Sequence, residues 1–454
     1  MEVDVVIKNG KAVTTNSVLE VGIAIDKGKF VAIAKNEDLP TAEKVIDAKG
    51  NFVLPGVVDE HVHILDMGLA ETHENFITGS TAAAVGGVTT MCEMPVNVPS
   101  TITLEAFEDK KEVASRKFLV DFALYGGAVP GNVDEIPKMV KAGAIGFKAM
   151  MAGSVPGFFE ILNDGMLLEA FQVIADCHSV ITVHTENEAI INHLENKLKA
   201  EGRKDIRAFF ESRPVIQEVE AISRATMLAK EAGCHLHVVH VSCPQGIDLI
   251  YRKKVEGQLL TCETGPHYIV LSQDDADRLG PYLKFAPPAR SRPETEQLWQ
   301  QLAEGKIDAL GSDHGPHPKE DKEKGWANIW DAGNGAIAVE TMLPVMLSEG
   351  VNKGKISIQR LVSLICENPA KIFGIYPQKG VIQVGSDADV VIVDMKKESV
   401  IEAEKLHSLH KHTPYDGLKV KGIPVLTMVR GEVIVENGEV IGKPGYGKFV
   451  TPSA

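Results

Sequence analysis

The chain has 454 residues, of which 44% are hydrophobic and 24% charged, a composition ordinary for a globular protein. Its net charge of −15 argues against nucleic-acid binding and against an anionic membrane surface, because both partners want a basic face. The length accommodates one large domain of about 250–300 residues with a smaller one beside it.

The amino terminus, Met1-Glu2-Val3-Asp4-Val5-Val6-Ile7, reads as a short alternating strand without a basic or long apolar leader. No run approaches the ~18 apolar residues of a membrane span. Six scattered cysteines, Cys92, Cys177, Cys234, Cys243, Cys262 and Cys366, form no CxxC pair. Reduced thiols and a cytoplasmic location are expected. Residues 1–50 predict strands at Val3–Ile7, Lys11–Thr14, Val21–Ile25, Phe30–Ala34 and Lys44–Asp47, with turns at Asn9-Gly10 and Lys27-Gly28.

From about 55 to 375 the pattern changes. Apolar runs at Val88–Glu93, Phe118–Gly126, Ala144–Lys148, Ser179–His184, His235–His240, Leu259–Glu263 and Ala309–Asp313 alternate with amphipathic stretches such as Ile216–Ala232 and Thr295–Glu304. Alternating strands and helices over about 300 residues predict an α/β fold, a (β/α)8 TIM barrel. After it, Ala388–Val393, Val425–Arg430 and Glu432–Val435 are again β-rich. A small β-sandwich built from both chain ends, 1–54 and 376–454, is therefore expected beside a barrel of 55–375.

Chemistry in such a barrel sits at the C-terminal ends of the strands. His61 and His63 follow the first apolar run, His184 and His240 end two others, and Asp313 follows Asp308-Ala309-Leu310-Gly311-Ser312. A lone histidine beside an apolar run is ordinarily a core residue. Four histidines and an aspartate at strand ends form instead an N/O donor set suited to Zn²⁺, Co²⁺ or Mn²⁺. Lys148 ends Gly143-Ala144-Ile145-Gly146-Phe147. Three readings stand open for it: a surface lysine, an anion-binding group, or an amine that takes up CO₂ and bridges two metals as a carbamate. His267, His314 and His317 lie in loops near the expected mouth.

Several segments resemble the cyclic amidohydrolases, the group of dihydroorotases, hydantoinases and allantoinases. They are Pro55-Gly56-Val57-Val58-Asp59-Glu60-His61-Val62-His63, Gly146-Phe147-Lys148, Val183-His184-Thr185-Glu186-Asn187, His237-Val238-Val239-His240-Val241-Ser242, Thr261-Cys262-Glu263-Thr264-Gly265-Pro266-His267-Tyr268 and Gly311-Ser312-Asp313-His314. Asn368-Pro369-Ala370-Lys371 and Gly385-Ser386-Asp387-Ala388-Asp389 extend the resemblance over essentially the whole chain.

The resemblance implies two divalent ions, usually Zn²⁺. One would be held by His61, His63 and Asp313 and the other by His184 and His240, with N6-carboxylated Lys148 between them. It implies hydrolysis of a cyclic amide C–N bond, with Asp313 as the catalytic proton carrier, and a homotetramer. A dihydroorotase carries an arginine where this chain has Leu65. A hydantoinase carries a tyrosine where it has Gly153. Glu93-Met94-Pro95-Val96-Asn97, Ser212-Arg213-Pro214-Val215, Glu218-Val219-Glu220-Ala221-Ile222 and Ala232–His240 are similar to allantoinase.

The resulting expectation is conversion of the ureide allantoin to allantoate in purine catabolism. The alternatives are a hydantoinase or dihydropyrimidinase, and a non-catalytic scaffolding relative. Gly153, Ala286 before Pro287-Pro288, His317 and Asn334 are the expected substrate-side residues. Asn334-Gly335 looks more like a hydantoinase loop than an allantoinase one, and the bland reading of that pair is a turn.

Overall fold

The computed structural model describes residues 2–69, 71–153 and 157–453. Eight parallel strands ring the larger domain in chain order: Val57–Val62, Val88–Glu93, Asp121–Leu124, Phe147–Met150, Val180–His184, His235–Val238, Leu260–Thr264 and Ala309–Leu310. They are near-continuous apolar runs because both faces are covered; all six residues of Val88–Glu93 are buried. The first three pair with one another. The last five form a second ladder, which reaches the third strand through Gly126–Gly127. Those glycines are required by close approach: a Cβ at either would come within 2.6 Å of Phe147 or Phe159 ring carbons.

The ring closes without a regular ladder between its first and last strands. Val62 bridges His314, and the His63 N–H donates to the His314 carbonyl at 2.8 Å. This is a TIM barrel with helices outside. The helix Val215–Ala232 shows how they attach: it begins after Pro214, buries Ala221, Ile222, Ala225 and Ala229 as one stripe, and ends at Gly233 with φ 65°.

Strands from both chain ends form one sheet. Val390–Val400 runs antiparallel to Phe52–Pro55, which is parallel to Glu2–Val13. This sheet has its own core around Val5, Ile7, Ile23, Ile25, Phe30 and Met428. One local expectation fails here. Asn9-Gly10 is not a turn between two strands but a bulge inside Glu2–Val13, with Asn9 at φ 55° and the register shifting between Ile7 and Gly10. Parts of the carboxy-terminal segment leave the sheet. Phe122 exchanges backbone bonds with Lys448 and Val450 of the tail, and Thr413 and His412 donate to the carbonyls of Ile337 and His317. All six cysteines are unpaired, and among the described residues no helix is long and apolar enough to cross a membrane.

The sheet and barrel are joined through a buried ion cluster. Lys379, whose side chain is fully buried, contacts Asp121 on the third barrel strand, Asp389 at 2.8 Å and Asp387 at 3.1 Å. Arg430 also pairs with Asp121. Removing the cation leaves buried Asp389 without a cationic partner and leaves Asp121 and Asp387 to Arg430 and Lys29 alone. Lys379→Met is expected to lose about 3–5 kcal/mol of unfolding free energy, read from urea denaturation followed by circular dichroism.

Candidate metal centre

Each expected ligand reaches the barrel mouth by a different backbone route. His61 lies on the first strand, with His63 just beyond its end, and His184 ends the fifth. His240 stands two residues beyond the sixth strand and Asp313 three beyond the eighth, both with positive φ, 41° and 47°. Such a backbone costs on the order of 1–3 kcal/mol for a side-chain-bearing residue and persists where surrounding contacts over-determine it. At His240 one such contact is its N–H, which donates to Glu263 at 3.2 Å. The fourth strand runs on past Lys148 to Met150, so Lys148 lies inside the strand rather than at its end, 3% exposed.

His61, His63 and Asp313 converge. One donor atom from each lies within 4.8 Å of the others, with His61 Nε2 at 3.4 Å and His63 Nε2 at 3.8 Å from Asp313 Oδ1. His184 Nδ1 faces His240 Nε2 at 3.0 Å, and the His61 and His240 rings are 5.4 Å apart. All five ligand candidates therefore occupy one cluster. Lys148 is close enough for its charge to act on His63, His240 and Asp313.

Electrostatics here favour groups free to bind a cation. Burial, reinforced by neighbouring positive groups, pushes His63 and His240 well below the usual histidine range, so both stay neutral. Burial also lowers the Lys148 ammonium to about 8 and raises the Asp313 carboxyl. His61 Nδ1 meets the Glu263 carboxylate, which leaves buried Nε2 without a partner and turned towards Asp313. His184 Nε2 meets Glu186 at 2.9 Å, which leaves Nδ1 for the centre. This is the carboxylate–histidine arrangement that orients a metal-binding imidazole. An orphaned buried ring nitrogen, two paired carboxylates and a mixed N/O set fit divalent metal.

Glu186 and Glu263 were not singled out from the sequence. Burial alone would raise both. The hydrogen bond and charge of His184, with Arg213 and Arg290, hold Glu186 below the carboxylate range, and His61 with His237 do the same for Glu263. The available signal was position, since Glu263 sits near the end of a strand-like run and Glu186 two residues after a ligand. Beneath the centre, Glu60, His237 and Glu263 form a second buried group, in which burial and the two neighbouring carboxylates hold Glu60 towards its neutral form.

The remaining candidates separate. His267 Nε2 is 4.0 Å from Asp313, and burial holds this ring neutral. His314 Nδ1 accepts from the Ala338 and Val339 N–H groups, a backbone role. His317 packs against Gly333 and interacts with the Asn334 backbone, while the Asn334 side chain is exposed. Ala286 lies two residues after buried Lys284. Gly153 is exposed three residues beyond the fourth strand, its N–H donating to Glu188 at 2.9 Å.

Comparison with known proteins gives a consistent picture. A profile of the amidohydrolase family matches residues 52–434. The chain is 55% identical over 448 residues to an L-hydantoinase of Paenarthrobacter aurescens, covering 99% of this chain and 98% of that one. It is 38% identical over 456 residues to an allantoinase of Salmonella choleraesuis (strain SC-B67), covering 99% of each. Among solved structures, an L-hydantoinase (dihydropyrimidinase) from Arthrobacter aurescens superposes with a TM-score of 0.98 at 55% identity, over 99% of this chain and 100% of that one. A D-hydantoinase gives 0.92 at 35% identity, over 99% and 98%. The order read from the sequence, allantoinase ahead of hydantoinase, is therefore corrected: the likeness to hydantoinase is the greater.

The Glu263 contact generates a test. Glu263→Gln keeps an acceptor near His61 but removes its charge. Metal affinity is expected to fall about 10–100-fold, measured by competition with a chromogenic chelator.

Proposed function

Since the chain belongs to the amidohydrolase family and is a cyclic amidohydrolase, we propose that its substrates are hydantoins, five-membered cyclic ureides opened at an amide C–N bond. The observation that carries this reading is the 55% identity, end to end, with a protein named L-hydantoinase, set against 38% for allantoinase. In the reaction the ring carbonyl carbon gains the oxygen of water, the C–N bond breaks and the ring nitrogen takes up a proton, leaving an acyclic ureido acid.

In this reading His61, His63 and Asp313 would hold one divalent ion and His184 and His240 a second, and Lys148, carboxylated on Nζ, would supply a further anionic oxygen ligand. Bound metal supplies a water acidic enough to ionise near neutral pH and polarises the carbonyl under attack. Asp313 is the proton carrier. Its carboxylate accepts the proton released by the attacking water and returns it to the departing ring nitrogen. Burial raises its pKa, which brings donor and acceptor forms closer in energy and suits both halves of that task. Glu263 and Glu186 keep the His61 and His184 rings turned so that one nitrogen of each is free. Burial makes the neutral Lys148 amine accessible near physiological pH, and only a neutral amine adds to CO₂. The exposed Asn334 side chain offers both a donor and an acceptor to a ring imide.

A substrate panel tests the ring. Purified, metal-loaded protein is expected to open hydantoin and both enantiomers of a 5-alkyl or 5-aryl hydantoin faster than allantoin, dihydrouracil or dihydroorotate. Turnover of allantoin, itself 5-ureidohydantoin, with none of hydantoin or of its 5-alkyl and 5-aryl derivatives would refute the proposal. Lys148→Ala is expected to lose bound metal and turnover together, with partial recovery in short carboxylic acids plus bicarbonate. A fully active, metal-replete Lys148→Ala rules out the carbamate.

A further inference from the structure

Lys322 lies in the short helix Lys319–Glu323, in the long segment that follows Asp313, and is 1% exposed. Its Nζ donates to three backbone carbonyls: Lys284 at 2.9 Å, Gly333 at 3.1 Å and Gly335 at 2.8 Å. An ammonium has three N–H donors and no acceptor, so these three oxygens satisfy it completely. Burying a lysine is costly in desolvation, and here no carboxylate is among its partners; all three are main-chain groups.

The three carbonyls belong to two segments. Lys284 precedes Ala286-Pro287-Pro288, and Gly333 and Gly335 flank Asn334. Lys284 strengthens the same junction. Its own Nζ donates to the Trp330 carbonyl at 3.3 Å and the Ala332 carbonyl at 2.5 Å, while its carbonyl also accepts the Gly335 N–H at 3.0 Å. Fixing the Gly333 and Gly335 peptide groups fixes the backbone around exposed Asn334, and with it the direction of its Cα–Cβ bond.

The clamp is continuous with the metal centre. Gly335 has φ 143°, and a Cβ there would meet the Gly315 carbonyl oxygen at 2.6 Å, so only glycine lets these backbones lie together. The next residue, Ala336, bridges His314 and accepts the Gly315 N–H at 2.9 Å. His314 follows Asp313 and accepts the His63 N–H. A displacement at Lys322 is thus two short backbone contacts from the reacting centre.

We propose that Lys322 is a positioning residue that holds the 284–288 and 333–336 backbones at the separation fitting a cyclic imide ring, and so sets how tightly and selectively substrate is held. This rests on the hydantoinase reading for the ring but not for the clamp. Lys322→Met keeps the apolar stem and removes the donors. Metal content by mass spectrometry and circular dichroism establish that the variant is loaded and folded. KM for hydantoin is expected to rise about ten-fold, with the 5-substituted to unsubstituted kcat/KM ratio shifted several-fold and kcat per loaded site changed far less.

A role in stability alone would lower Tm and the loaded fraction and leave KM and the ratio at wild-type values, and that result overturns the proposal. If Lys322→Met does not fold, Lys322→Arg carries the test. A planar guanidinium keeps the charge but cannot direct its donors at three converging carbonyls. A smaller KM shift in the same direction is expected, and wild-type KM and selectivity in folded Lys322→Arg overturn the proposal. If the wild type opens another ring instead of hydantoins, the functional reading fails by itself, and KM for that ring decides the clamp.

Discussion

The closure of the barrel between its first and last strands is the constraint on which the centre depends. His61 and His63 come from one side of that seam and Asp313 from the other. The last strand has only two residues, so no regular ladder can hold the seam. Local bonds do so instead. Buried Asp59 accepts the Ser312 N–H at 3.0 Å, the Ser312 hydroxyl donates to the His61 carbonyl at 3.4 Å, and His63 and His314 share a backbone bond. The ligands nearest the seam are therefore brought together by the contacts that close the fold. A barrel left open at this point would separate His63 from Asp313.

Much of this was legible in the sequence because parallel barrel strands are apolar throughout and their C-terminal ends are where polar residues appear. His184 shows the rule plainly, as the last residue of its strand. His240 and Asp313 show its limit. Both lie beyond the regular strand in left-handed backbone, and no propensity foretells that, because it is imposed by tertiary contacts such as the Glu263 carboxylate on the His240 N–H. The Asn9-Gly10 bulge was misread for a related reason. The pair is a strong local turn signal, yet the sheet continues through it. A Cβ at position 10 would come within 2.5 Å of Val53, so that glycine answers to strand packing rather than to a turn.

The ordering of allantoinase ahead of hydantoinase has an identifiable physical source. The segments that look like allantoinase supply hydrogen bonds that support the centre. Glu93 pairs with buried Lys110, which also donates to Asn97 at 2.7 Å and the Met94 carbonyl at 2.8 Å. Glu93 in turn accepts the Ile64 N–H beside His63. Glu218 accepts from Arg290 at 2.7 Å and from the Ser242 N–H at 2.8 Å, and Arg290 also donates to the Arg213 carbonyl. Gln217 steadies Glu186, and so His184, at 2.7 Å. These groups hold metal-side residues in place whatever ring is opened, so likeness in them carries little information about substrate.

In the proposed reading discrimination lies in the 284–288 and 333–336 segments, and that region is built on another principle. The ligand scaffold uses carboxylates because its partners are imidazoles and ammonium or guanidinium groups that need an anion. The 284–288 and 333–336 segments offer mainly peptide groups, and a peptide carbonyl is fixed by a donor. Two buried lysines supply the donors there, Lys322 to three carbonyls and Lys284 to two. On that reading chemistry and selectivity rest on separate supports that meet at His314, which carries a backbone bond from His63 on one side and pairs with Ala336 on the other. Such a separation would let changes in the two loop segments alter the ring accepted while Glu263, Glu186 and the six candidate ligands stay as they are.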